Sequence, residues 1–235
     1  MSVPHRLPVD AAAPLRHRDD GRWLGDLLGD HCEVCCPRCS AAGVVRYEST
    51  AGSRLIVARF ACGSCALALT SPPTHAFDLE PLPGAPWYGC VHFHGSRICG
   101  YCGARWLRHD ETMSADAVLG KHFDTTVRCD RCGREHPLAL SMRRVRDMAG
   151  GCEPVFGLRL ALSGDVAAGK TVWAYNSAHL AEIKRFVSAQ LREYGASTNS
   201  SFASRLPAWI KSARNRGKVL AAIMRIERNR QTRTE

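Results

Sequence analysis

Ten of the twelve cysteines in this chain stand in C-x-x-C pairs: Cys32–Cys35, Cys36–Cys39, Cys62–Cys65, Cys99–Cys102 and Cys129–Cys132. Two thiolates separated by two residues reach one metal ion from a single tight turn, and a second such turn completes a tetrahedral shell. Twenty-two residues separate Cys39 from Cys62 and twenty-six separate Cys102 from Cys129, enough for a β-hairpin between the turns. The spacing therefore predicts two four-cysteine zinc sites, Cys36, Cys39, Cys62 and Cys65, then Cys99, Cys102, Cys129 and Cys132. A shell of four thiolates is closed, so both ions are expected to be structural.

Cys32–Cys35 overlaps the first quartet, and either pair could supply its ligands. Cys36 and Cys39 are preferred because Pro37 and the following strand suit a knuckle turn. Gly103 and Gly133, directly after Cys102 and Cys132, suit a turn with positive φ; Ser40 and Ala66 stand at those places in the first unit. Cys90, His92 and His94 alternate along an expected strand and could share one face. Their role is left open between a third metal site and packing. Cys152 reads as core.

These sites need short strands around them. Val44–Tyr47 and Leu55–Phe60 are β-branched and aromatic, split by Ala51-Gly52-Ser53. Arg105–Leu107 and Thr125–Arg128 occupy the same places in the second unit, around a less regular stretch from Asp116 to His122. Leu67–Leu69 and Leu138–Leu140 leave the second knuckles. Trp23, Leu24, Leu27 and Leu28 suit one short docked helical turn. Beyond Gly150-Gly151 two strands, Gly157–Leu162 and Thr171–Tyr175, give way to helical periodicity. Leu180, Ile183, Val187, Leu191 and Tyr194 mark a helix capped by Asn176 or Ser177 and stopped by Gly195. A second helix is expected with Ser204 as cap and Pro207 in its first turn, then a break at Asn215–Gly217. A third helix carries Val219, Leu220, Ile223 and Ile226, with a fraying tail after Arg228.

The expected fold is small α+β: two tandem β zinc ribbons, a β-hairpin and a C-terminal module of about three helices. The divisions are a weakly ordered lead (1–30), ribbon one (31–75), an extended connection (76–97), ribbon two (98–142), the hairpin (143–176) and the basic helical module (177–230). Gly164–Thr171 matches the G-x-x-x-x-G-K-[ST] phosphate-loop pattern. The β-branched and aromatic residues after Lys170 predict a hairpin there instead of the helix a phosphate loop requires.

The net charge is +10, and from Lys170 onward thirteen Lys and Arg face only four Glu. Such a field attracts polyanions. Arg205, Lys211, Arg214, Arg216 and Lys218, near Trp209, are the candidate nucleic-acid contacts. No apolar run approaches the roughly 20 residues that cross a bilayer, and the first thirty residues lack a signal-type apolar core. A cytoplasmic protein without a membrane partner is expected. No paired carboxylates appear, and no histidine–acid cluster beyond His109, Asp110 and Glu111, so no catalysis is expected.

Phe156-Gly157-Leu158-Arg159-Leu160, Trp173-Ala174-Tyr175-Asn176, His179-Leu180 and the run Ser204-Arg205-Leu206-Pro207-Ala208-Trp209-Ile210-Lys211-Ser212-Ala213-Arg214-Asn215-Arg216 carry a resemblance. Over roughly residues 150–228 the chain resembles a bacterial group of TFIIB-type zinc-ribbon-containing proteins. The resemblance implies a bacterial intracellular protein with a ribbon-plus-helical-tail arrangement, and it implies no activity. Function is then expected to be binding of nucleic acid or of the transcription machinery, an RNA polymerase-type assembly. The alternative is a protein–protein adaptor.

Overall fold

The computed structural model describes residues 15–49, 54–80, 82, 85–115, 124–145, 151–167, 169–193 and 201–234. Pro4, Pro8, Pro14, Ala11–Ala13, the Ala51–Ser53 turn, Asp116–His122, Gly150, Tyr194 and Gly195 lie outside them. The fold is mixed α+β, built from small sheets and, among the described residues, five α-helices. None of these helices is long and apolar enough to cross a membrane.

The first cysteine unit is one antiparallel sheet in the order β2 (His31–Cys35), β3 (Ala42–Ser49), β4 (Ile56–Ala61) and β5 (Ala68–Thr70). Alternation along these strands turns Cys32, Val34, Val45, Tyr47, Ala58, Phe60 and Leu69 inward. The free edge of β2 is occupied by the C-terminal half. The Glu33 and Cys35 N–H groups donate to the Tyr175 and Arg159 carbonyls (2.7 and 2.8 Å), and the Ala161 N–H donates to Glu33 O at 2.9 Å. Val155, Phe156, Leu158, Leu160 and Tyr175 complete the same buried cluster. Glu153, fully buried, accepts the Val155 and Phe156 N–H groups and the Tyr47 hydroxyl, fastening this segment to β3.

The second unit is less unified. β6 (Cys90–Arg97) lies between β10 (Ser141–Val145) and β7 (Leu107–Ser114), while β8 (Asp124–Arg128) and β9 (Glu135–Ala139) form a separate hairpin. The stretch expected as an extended connection thus contains an eight-residue strand feeding the first knuckle of this unit. Arg105 and Trp106, expected in a strand, precede β7, and Trp106 takes a positive φ of 64°.

The phosphate-loop-like segment is a hairpin, β11 (Leu162–Ala167) against β12 (Lys170–Ala174). Gly164 and Asp165 are strand residues opposite Val172 and Thr171. The first strand also begins at Leu162, where the sequence suggested that it ends.

Helix α2 (Ser177–Ser188) follows directly, capped by Asn176, whose side-chain oxygen accepts the His179 N–H. The helix ends at Ser188, earlier than the apolar spacing suggested. Leu191–Glu193 becomes β13, which pairs in parallel with β1 (Arg16–Arg18). Residues 15–30, expected to be weakly ordered, therefore hold defined positions. Beyond β1 they form α1 (Leu24–Leu28), which buries Leu27 and Leu28. Next come α3 (Phe202–Arg205), capped by Ser201 where Ser204 was expected, and α4 (Ala208–Lys211). A 3-10 turn at Ala213–Asn215 leads into α5 (Arg216–Thr234), which continues past Arg228. Leu162, Val172, Ile183, Phe186, Phe202, Val219, Ile223 and Ile226 form the second core between β11–β12 and the helices.

Candidate metal centres

Four turns bring eight cysteines into two groups. Cys36 and Cys39 sit between β2 and β3, and Cys62 and Cys65 between β4 and β5. Cys99 and Cys102 sit between β6 and β7, and Cys129 and Cys132 between β8 and β9. Within each group all ligand atoms lie within 4.8 Å of one another. The Cys36–Cys65 and Cys39–Cys62 sulfurs are 3.7 and 3.5 Å apart, and the Cys99–Cys132 and Cys102–Cys129 sulfurs are both 3.7 Å apart. Thiolates at about 2.3 Å from a zinc ion in a tetrahedron stand about 3.8 Å from each other. A disulfide would bring two of them to about 2.05 Å. The donor set and its spacing fit zinc, and the two groups are positioned to hold two metal ions, as structural zinc sites require.

The backbone explains why these turns aim their sulfurs alike. In three knuckles the first cysteine donates its N–H to a carbonyl five residues on: Cys36 to Ala41, Cys99 to Ala104 and Cys129 to Arg134. Its carbonyl accepts the N–H four residues on, from Ser40, Gly103 and Gly133 respectively. Those three residues have φ of 61°, 66° and 70°. Gly103 and Gly133 adopt this at little strain, whereas Ser40 does so with a Cβ. The fourth knuckle keeps the Cys62 N–H to Leu67 O bond (2.9 Å), but Ala66 is not at positive φ. Here the Ser64 N–H points at the Cys62 sulfur and brings that thiol down to about 6. Burial opposes the Cys99 thiolate, but the Cys102 and Tyr101 N–H groups outweigh it and bring Cys99 down to about 6 as well. Each site thus has one thiol disposed to ionise near neutral pH, the form that binds metal.

Cys32 and Cys35 are not part of either group. Both are buried in β2, opposite Val45 and Ala42, and burial pushes the Cys32 thiol well up. Cys152 is likewise buried, bridged to Arg159. Cys90, His92 and His94 do share one half-buried face of β6. His92 pairs with Asp110 at 3.3 Å and its ring stacks on that of His94, yet among the described residues no third ligand group is assembled. His109 pairs with Glu111 at 3.3 Å; alternation along β7 places this pair and Asp110 on opposite faces of the sheet.

One residue at the second site escaped the sequence reading. His136 is buried, with Nε2 at 3.2 Å from the Cys99 sulfur. A metal-bound thiolate can only accept, so Nε2–H is the donor and orients this ligand. Period-two alternation along β9, which puts His136 on the inward face with Leu138, was the available signal.

The five candidate nucleic-acid contacts divide. Arg205, Arg214 and Lys218 are exposed. Lys211 Nζ donates to Ser204 O and Arg216 Nη2 to Ala189 O at 3.0 Å, so these two also fasten the helical module. Trp209 is half-buried and packs on the helical core.

Compared with protein families, curated proteins and solved structures, the chain matches none of them.

Proposed function

We propose that the two cysteine units are structural zinc ribbons and that the protein binds nucleic acid, alone or within the transcription machinery, through the ribbons and its basic helices. The observation that carries this reading is the imbalance of charge on the C-terminal helices. The described acids from α2 onward are occupied: Glu182 holds His17, Arg22 and Arg185, Glu193 in β13 holds Arg16, and Glu227 holds Lys184. Arg205, Arg214, Lys218 and Arg228 are exposed and form no ion pair among the described residues. Arg225 and Arg228 also line, with Lys184 and Met224, a shallow groove between α2 and α5. Such a surface gains from displacing counterions on a phosphate backbone.

The test is salt dependence. Affinity for a DNA duplex should fall steeply between low and physiological salt. Combined charge reversal (Arg205→Glu, Arg214→Glu, Lys218→Glu) should flatten log K against log salt by about 0.9 for each phosphate no longer neutralised. An unchanged slope contradicts this surface, and no binding by the unaltered protein to duplex or single strand contradicts the function.

A further inference from the structure

The aromatic side chains that a nucleic-acid surface needs are not on the helices, where Trp209 is packed, but on the second ribbon. The loop from Ile98 to Trp106, which wraps Cys99 and Cys102, exposes three large apolar side chains: Ile98 (56%), Tyr101 (63%) and Trp106 (54%). Arg108 lies over the Trp106 ring at 5.7 Å and Arg134 over the Tyr101 ring at 4.3 Å. Arg97, Arg105, Arg128 and Arg131 are exposed on the same knuckles and adjoining strand ends. Against these six arginines stand Asp130 and Glu135 there, and the two net negative charges of a zinc ion held by four thiolates. The end of the ribbon remains positive.

Trp106 itself is held at a positive φ of 64°, a conformation that strains a bulky residue. Among the described residues its ring joins no buried cluster in return.

We infer that this tip is a stacking platform for single-stranded nucleic acid, with Trp106 receiving one base and the Tyr101–Arg134 pair an adjacent one. This rests on the nucleic-acid reading above and adds strandedness to it. An indole half open to water offers a face to any unstacked base, and a guanidinium lying on a tyrosine ring extends the same plane-to-plane contact. The remaining arginines supply phosphate contacts between bases. A duplex keeps its base faces covered, so the tip discriminates for single strands while the helices contribute charge to both. A protein partner would also cover Ile98, Tyr101 and Trp106, but six arginines around them match a polyanion better than an ordinary protein surface.

The experiment compares a labelled 20-nucleotide oligo-dT and a duplex of equal length by fluorescence anisotropy at low salt, using the full zinc-loaded chain. Trp106→Gly removes the ring and suits the left-handed backbone, so the knuckle is retained; native mass spectrometry verifies the zinc content. Oligo-dT affinity should fall about 5- to 100-fold, in line with the stacking of one base. Duplex affinity should change less than about twofold, and Trp106→Phe should restore most of the single-strand affinity. Tyr101→Ala should show the same selectivity. If Trp106→Gly leaves oligo-dT binding unchanged while charge reversal on the helices weakens it, the platform is wrong and the function stands. In that case the exposed cluster belongs to a protein partner. If the unaltered protein binds neither oligonucleotide, both fall.

Discussion

Ser40 holds with an ordinary L-residue the conformation that glycine holds at Gly103 and Gly133. A left-handed backbone costs such a residue about 1–2 kcal/mol, partly offset by the extra freedom glycine has when unfolded. Ser40→Gly is therefore expected to stabilise the zinc-loaded protein by about 0.5–1 kcal/mol. Ala66→Gly, at a knuckle without positive φ, should destabilise it by about 0.5–1 kcal/mol. Urea unfolding with zinc held constant reads both, and equal signs would contradict the backbone account. At His136 the expectation concerns metal. His136→Ala removes the donor to Cys99, so the second site should bind zinc about 10- to 100-fold more weakly while the first is unchanged. Competition with a chromophoric chelator measures the two sites as separate phases.

Among the elements, α1 and α2 are joined through one side chain. Asn176 Oδ1 caps α2, and Nδ2 donates to the carbonyls of Leu27, Leu28 and His31 at 2.9–3.2 Å. Asn176→Asp keeps the cap but replaces the two amide N–H donors shared by these carbonyls with a buried charge facing carbonyl oxygens. It should destabilise by at least about 2 kcal/mol, more than the roughly 1 kcal/mol of a lost cap alone. A denaturation midpoint within error of the unaltered protein would contradict this. The same residue shows what was legible in sequence. The cap, read as Asn176 or Ser177 and found at Asn176, and the β11–β12 hairpin were readable, because caps and β-branched runs act locally. The end of α2 was not. Leu191 continues the apolar spacing, yet its backbone pairs with β1, a partner about 175 positions away in sequence that no local pattern announces. Within the motifs that carried the resemblance, Tyr175, Asn176, His179, Ile210 and Arg216 serve packing, caps and carbonyl clamps.

At the scale of the molecule, the two metal sites stand in different surroundings. The first shares its buried cluster with Val155, Phe156, Leu158, Leu160 and Tyr175, so the first cysteine unit packs directly on the C-terminal half. Among the described residues, the buried cluster at the second holds Cys99, Leu107 and Cys129, with Val91, Phe93 and Leu138 buried elsewhere in the unit. One buried leucine contributes about 1.5–3 kcal/mol, whereas structural zinc in a small domain contributes on the order of 10 kcal/mol. The second unit is therefore expected to depend on its ion more than the first, which is supported from both sides. The eight ligands were legible because thiolate spacing is a local constraint. The sharing of one core between the first cysteine unit and residues 153–175 was not, since the edge pairing of β2 with Arg159, Ala161 and Tyr175 spans more than 120 residues.

The central claim is that two closed four-thiolate shells hold zinc and that the fold around them needs it. Native mass spectrometry of the full chain during stepwise chelation tests this most directly, with circular dichroism followed in parallel. Two zinc ions per chain are expected, the second-ribbon ion leaving first, and β-structure should be lost as the ions leave. A chain that carries no metal as purified and keeps its spectrum unchanged in excess chelator would contradict the account.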